Sequence, residues 1–128
     1  MKKPLILALC IISCFCFSTQ TMNSFYETAQ NCHDIACIRK EIDQINQELL
    51  TLLAKRTAYV KRAGDLKAFT IKKAQDHQRV EKQEKIIIEQ ALELELPLEV
   101  VIPTFRTLVD CSIEFQQNYI NGLNAAID

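Results

Sequence analysis

From Ile35 to Leu66 an apolar side chain recurs every third or fourth residue, through Ile38, Ile42, Ile45, Leu49, Leu52, Tyr59 and Ala63, with one break at Arg56. That spacing sets the residues along one side of an α-helix and persists for about five heptads. It predicts a single helix from Asp34 to Ala68, with Asp34 as its N-cap. At 1.5 Å per residue such a helix is about 50 Å long, whereas a compact domain of 100 residues has a radius of gyration of about 13 Å. A helix of that length cannot cover its apolar seam with its own chain. The economical solution is a dimer in which two long helices pair and shorter ones close over them.

Two shorter helices are predicted after it. Asp76 to Leu94 carries Val80, Ile87, Ile88, Ala91 and Leu94 on one face, and a third helix turns Val101, Phe105, Leu108, Ser112, Phe115 and Tyr119 inward. Pro103 lacks an N–H, so the third helix either begins or bends there. Phe69 to Ala74 reads as a short lysine-rich connection, residues 22–33 as a lead-in, and residues 121–128 as a frayed tail, leaving a helical domain over 34–120. Only two glycines and three prolines punctuate the chain, and no Asn-Gly or Asp-Gly lies between alternating strands. The fold class that follows is all-α, a three-helix chain with one very long N-terminal helix.

Arg56 breaks the seam where a purely structural helix would place another aliphatic residue. A guanidinium there must be paired or must face an anion. Lys67, eleven residues on, is turned by roughly 20° net and lies about 16 Å away by rise, so the two cations share a face and can bracket a small acid. Arg39 sits about 260° around the helix from Arg56 and serves the same site only from the other subunit of an intertwined dimer. With 15 basic and 16 acidic residues the chain exerts no bulk pull on nucleic acid or anionic membrane, so any cationic site is local.

Other polar residues fall on inner faces. Ser112 stands where an aliphatic residue is expected and Gln116 follows one turn later, while Asp76 and Arg79 share a face at the positive end of the second helix. Each also has a plain structural reading: a core hydroxyl for Ser112, a surface amide for Gln116, an N-cap for Asp76.

Lys2 and Lys3 precede an apolar run from Pro4 to Phe17, shorter than the roughly 20 residues of a membrane span but suited to a secretory signal, here taken as residues 1–21. Ser18 to Thr21 offers small residues for cleavage without an A-x-A pattern, and Ile11 to Cys14 resembles a lipoprotein box that would leave Cys14 lipidated. The expectation is export, to the periplasm or outside the cell, with no membrane attachment unless Cys14 carries lipid. Cys10, Cys14 and Cys16 fall in the signal, leaving Cys32, Cys37 and Cys111. In an oxidising compartment Cys32 and Cys37 can bridge, provided Cys32 lies in a turn, because an i,i+5 pair on one helix is too far around. Cys32, His33 and Cys37 with no second cluster make a weak metal signal, and no metal is expected. Cys111 is read as a small buried hydrophobe.

The ordered series Arg39, Arg56, Lys67, Asp76, Arg79, Ser112 and Gln116 resembles the all-helical chorismate mutases of the AroQ class, the type II family, as do the stretches I-R-K-E-I-D-Q-I-N over residues 38–46 and A-K-R-T-A-Y-V-K-R-A-G-D-L-K over 54–67. The resemblance covers about Asp34 to Tyr119. It implies an intertwined helical-bundle homodimer and the cofactor-free Claisen rearrangement of chorismate to prephenate, a step toward aromatic amino acids. Its implied roles give Arg56 and Arg79 the substrate carboxylates, with Arg39 from the partner subunit. They give Lys67 and Gln116 the ether oxygen, Ser112 a further carboxylate contact, and the backbone near Asp76 the ring hydroxyl. One position departs: Val80 stands where many members carry a glutamate that contacts that hydroxyl, and Glu81 is about 100° away around the helix. Arg79-Val80-Glu81 and Tyr59-Val60-Lys61 are also similar to the related isochorismate pyruvate lyases, whereas Ser112 favours the mutases. An alternative of another class is a non-catalytic exported helical dimer.

Overall fold

The computed structural model describes residues 20–70 and 76–126. The signal segment, apart from its last two residues, and most of the lysine-rich connection lie outside the described residues. Four helices follow one another: α1 (Met22–Ala29), α2 (Ile35–Ala68), α3 (His77–Glu93) and α4 (Leu98–Ala125). No strand occurs among the described residues.

Helix α2 starts where its cap dictates. The Asp34 carboxylate accepts the Cys37 N–H at 2.7 Å, satisfying one of the donors that a helix N-terminus leaves open. From there α2 runs 34 residues to Ala68. Asp76 caps α3 in the same way, accepting from the Arg79 N–H at 3.1 Å. A Schellman turn closes α3, with Leu96 N–H on Ala91 O at 2.8 Å and Glu95 N–H on Leu92 O at 3.1 Å. It puts Glu95 in the left-handed region at φ 57°, a position glycine usually takes.

The 22–33 lead-in contains a helix that the sequence reading did not include. Two turns are too few to display an apolar period and are marginal in isolation. Tertiary bonds hold α1 instead: Met22 N–H donates to Leu94 O at 2.9 Å and Asn23 Nδ2 to the Glu95 carboxylate at 2.9 Å, both in the α3–α4 turn. At its other end the Cys32–Cys37 disulfide, with Cα atoms 5.5 Å apart, ties the connection from α1 to the first turn of α2. Cys32 does lie in that connection, outside regular helix.

Helix α4 differs from expectation in its tail and at Cys111. Of the two alternatives at Pro103, the helix does not begin there: it starts five residues earlier at Leu98 with Pro103 inside. Proline's fixed φ is helical, and at the sixth helical position it forgoes the one bond its N–H would have made to Glu99 O. Nor does the tail fray after Ile120. The helix continues to Ala125, with half-buried Leu123 giving the added turn an inward side chain. Cys111, read as buried, is exposed, because the turn of helix that faces α2 there presents Ser112.

Helix α4 packs against both α2 and α3. The hydrogen bonds and close packing between α2 and α4 lie in the C-terminal half of α2, along Arg56, Val60, Gly64 and Lys67, and Gly64 is the one buried residue of that helix. The apolar seam is not that strip. In the single protomer Leu49 and Leu52 are 56% and 62% exposed, and Ile42 and Ile45 are exposed as well. Its own chain leaves the long helix uncovered over most of its length.

Candidate active site

At Gly64 side chains of α4 pack directly onto the α2 backbone. A Cβ there would lie 3.0 Å from the Tyr119 ring and 3.5 Å from Gln116 Cγ, so that the tyrosine ring would have to give by a few tenths of an ångström. Close approach turns side chains of the two helices onto one another. Arg56 Nη1 donates to Ser112 Oγ, and the Ser112 hydroxyl donates to Leu108 O at 2.6 Å. Ser112 therefore spends its hydrogen on its own helix and offers the guanidinium a lone pair. One turn further on, Lys67 Nζ donates to Gln116 Oε1 at 3.1 Å, while Gln116 Nε2 donates to Val60 O at 2.6 Å. Gln116 is 5% exposed, so the surface-amide reading is wrong. An amide buried to that degree needs both ends satisfied, and here both are.

These residues face a cavity of about 180 Å³ between the three longer helices. Helix α2 supplies Arg56, Val60 and Lys67, and Asp76, Arg79, Val80 and Gln83 come from the start of α3. Helix α4 closes the wall with Val109, Ser112, Ile113 and Gln116. Among the described residues three cations thus face one carboxylate, and that carboxylate is already committed to capping α3. The excess positive charge suits a small ligand with two carboxylates, because guanidinium groups bind carboxylates through paired donors in a fixed plane.

Of the residues singled out in the sequence, Arg56, Lys67, Asp76, Arg79, Val80, Ser112 and Gln116 all line this one cavity. Asp76 is both the N-cap and a cavity residue. Arg39 is elsewhere, on an open groove along the N-terminal half of α2 beside Ala36, Lys40 and Asp43. Seventeen residues of helix put it about 25 Å from Arg56 by rise. Gln83 was missed. It lies four residues after Arg79, so helical spacing alone places it on the cavity face, but an isolated glutamine carries no signal that separates it from a surface amide.

The profile of the chorismate mutase type II family matches residues 38–117, well over half of the chain. The matched span takes in α2 from Ile38, the whole of α3, and α4 as far as Gln117, and so includes every residue named above as lining the cavity. Helix α1 and the Cys32–Cys37 bridge precede it. No curated protein matches the chain.

Proposed function

The chain belongs to the chorismate mutase type II family, and from that premise we propose that it rearranges chorismate to prephenate as an exported homodimer without a cofactor. The observation that carries the reading is the convergence of Arg56, Lys67 and Arg79, with the Lys67–Gln116 hydrogen bond, on one cavity. In the rearrangement the ether C–O bond breaks as a C–C bond forms, so every atom is retained and no proton changes hands. Two things remain for the protein to supply: a compact substrate conformer, and stabilisation of the negative charge that builds on the ether oxygen. Arg56 and Arg79, on facing walls, hold the two carboxylates and bring the enolpyruvyl arm over the ring. Lys67 and the second amide hydrogen of Gln116, the first being used on Val60 O, meet the oxygen.

A second reading is favoured by Val80. An apolar side chain on the α3 wall, with the Gln83 amide as its polar neighbour, leaves recognition of the ring hydroxyl without the expected carboxylate. Isochorismate pyruvate lyase chemistry uses the same cationic pocket. Purified protein given chorismate and isochorismate separately is expected to make prephenate from the first. Pyruvate released from isochorismate as the main product would favour the lyase, and turnover of neither would leave the non-catalytic helical dimer.

The dimer rests on the exposed seam of α2 and on the placement of Arg39. Burying apolar surface gains about 25 cal/mol per Å², and the uncovered isoleucines and leucines of the N-terminal half form one continuous stripe for a second α2. In such a pair, Arg39 of one subunit reaches the cavity of the other. Mixing inactive Arg39→Ala subunits with inactive Arg56→Ala subunits is then expected to restore activity, because one site of each heterodimer regains both arginines. A mixture as inactive as its parents, or a fully active monomer by light scattering, would contradict the shared site. Export rests on the signal-like segment over residues 1–21, with Cys14 lipidation as its variant, and is supported by the Cys32–Cys37 disulfide, a bond that persists in oxidising compartments.

A further inference from the structure

Beyond the cavity α2 and α4 meet a second time. Three residues after Gln116, the Tyr119 hydroxyl donates to Asp65 Oδ1 at 2.6 Å, and Asp65 stands two residues before Lys67. The ring of Tyr119 lies on Gly64, in the one place along α2 where a missing Cβ makes room for it. Lys61 Nζ caps the ring from 5.1 Å. Asp65 is held below its usual carboxylate range, first by the Tyr119 hydrogen bond, against a smaller opposing effect of burial and with Arg62 and Lys61 adding to the lowering. The same bond pushes the Tyr119 phenol up. Neither Asp65 nor Tyr119 lines the cavity.

What this contact controls is the seat of Gln116. That amide is bonded to α2 at Val60 O and Lys67 Nζ, one turn to either side of Gly64. Both bonds require α4 to keep one rotation and one height on α2. A sliding or turning α4 would carry Gln116 off its two partners together. Tyr119, about 4.5 Å further along α4 by rise, fixes both coordinates at once, because its ring sets the spacing at Gly64 and its hydroxyl sets the register at Asp65.

We propose that Tyr119 is a positioning residue for the rearrangement, holding the Gln116 amide at Lys67 through its seat on Gly64 and its bond to Asp65. The proposal rests on the function proposed above. Positioning errors cost turnover more than binding, so Tyr119→Phe, which keeps the ring and deletes the hydroxyl, is expected to lower kcat roughly three- to ten-fold and to move KM by less than about two-fold. Since the effect passes through Gln116, it should shrink to under about two-fold in a Gln116→Ala background, the non-additivity expected of residues acting on one point. Asp65→Ala should reproduce the loss and Asp65→Asn, which keeps an acceptor oxygen, should recover most of it. Circular dichroism and melting curves accompany each variant, and if Tyr119→Phe does not fold, the Asp65 pair decides in the same Gln116→Ala cycle. Equal fold-losses in both backgrounds, a rise in KM with kcat unchanged, or wild-type rates would overturn the proposal alone. A wild-type protein that turns over neither chorismate nor isochorismate would overturn the functional reading and this proposal with it.

Discussion

Replacing Arg56 by lysine is expected to lower kcat/KM roughly ten- to a hundred-fold, the equivalent of losing about 1.5–3 kcal/mol of charge-assisted hydrogen bonding. The charge survives the change, so the loss measures geometry. Arg56 commits one nitrogen to Ser112 and keeps the rest of a planar fork for the cavity. Ser112 cannot follow a retreating partner, since its hydroxyl is fixed to Leu108 O. A lysine ammonium is a point charge on a shorter reach and cannot serve both Ser112 and a carboxylate in one plane. Arg106→Lys is the fitting control. That guanidinium pairs with Glu84 at the surface and lies outside the cationic cavity, so its conservative replacement should stay within about 0.5 kcal/mol in stability. Near-normal kcat/KM for Arg56→Lys would remove Arg56 from the site.

How much of this was legible in the sequence varies with how local each determinant is. Asp34 and Asp76 mark the starts of α2 and α3 because a capping carboxylate needs only the next three residues of its own chain. The extent of α2 was legible because three-four spacing repeated for about five heptads leaves one period to choose. Helix α1 was not, since its stability comes from bonds to Leu94 and Glu95, some seventy residues away in the chain. The seam itself had two meanings that periodicity could not separate. Arg56 was read as an interruption of one stripe, yet the strip that meets α4 is Arg56, Val60, Gly64 and Lys67, while the isoleucines and leucines before it face away from the protomer's own core.

The cavity was legible as an ordered set of polar residues carried by resemblance, and seven of the eight candidates line it. Arg39 is the exception, at the far end of a helix too rigid to fold back. Gln83 and the Asp65–Tyr119 bond were not legible. A glutamine on α3 looks like any surface amide, and a tyrosine paired with an aspartate across two helices has no spacing rule in a single chain.

Gln116→Glu tests through pH whether Gln116 donates a hydrogen bond to the oxygen on which charge develops. An amide donates at every pH, whereas a carboxyl group donates only when protonated. The introduced carboxylate would also face Val60 O, an acceptor now 2.6 Å from the amide nitrogen, and would repel the charge building on the reacting oxygen. Burial and that carbonyl raise its pKa and Lys67 lowers it, so the transition is displaced from the ordinary glutamate value of about 4.3 by the balance of the two. Below the transition the protonated variant has a single O–H to share between Val60 O and the reacting oxygen, so activity is recovered in part, and above it neither hydrogen bond is made. Removing a donor to a developing oxyanion costs about 10²–10³ in kcat. The measurement is kcat/KM of Gln116→Glu relative to wild type from about pH 3.5 to about pH 8, a range that brackets the glutamate's titration whether the balance raises or lowers it moderately. The expected ratio is highest in acid and falls steadily as pH rises, while a ratio constant across the range would mean that Gln116 does not touch the reacting oxygen.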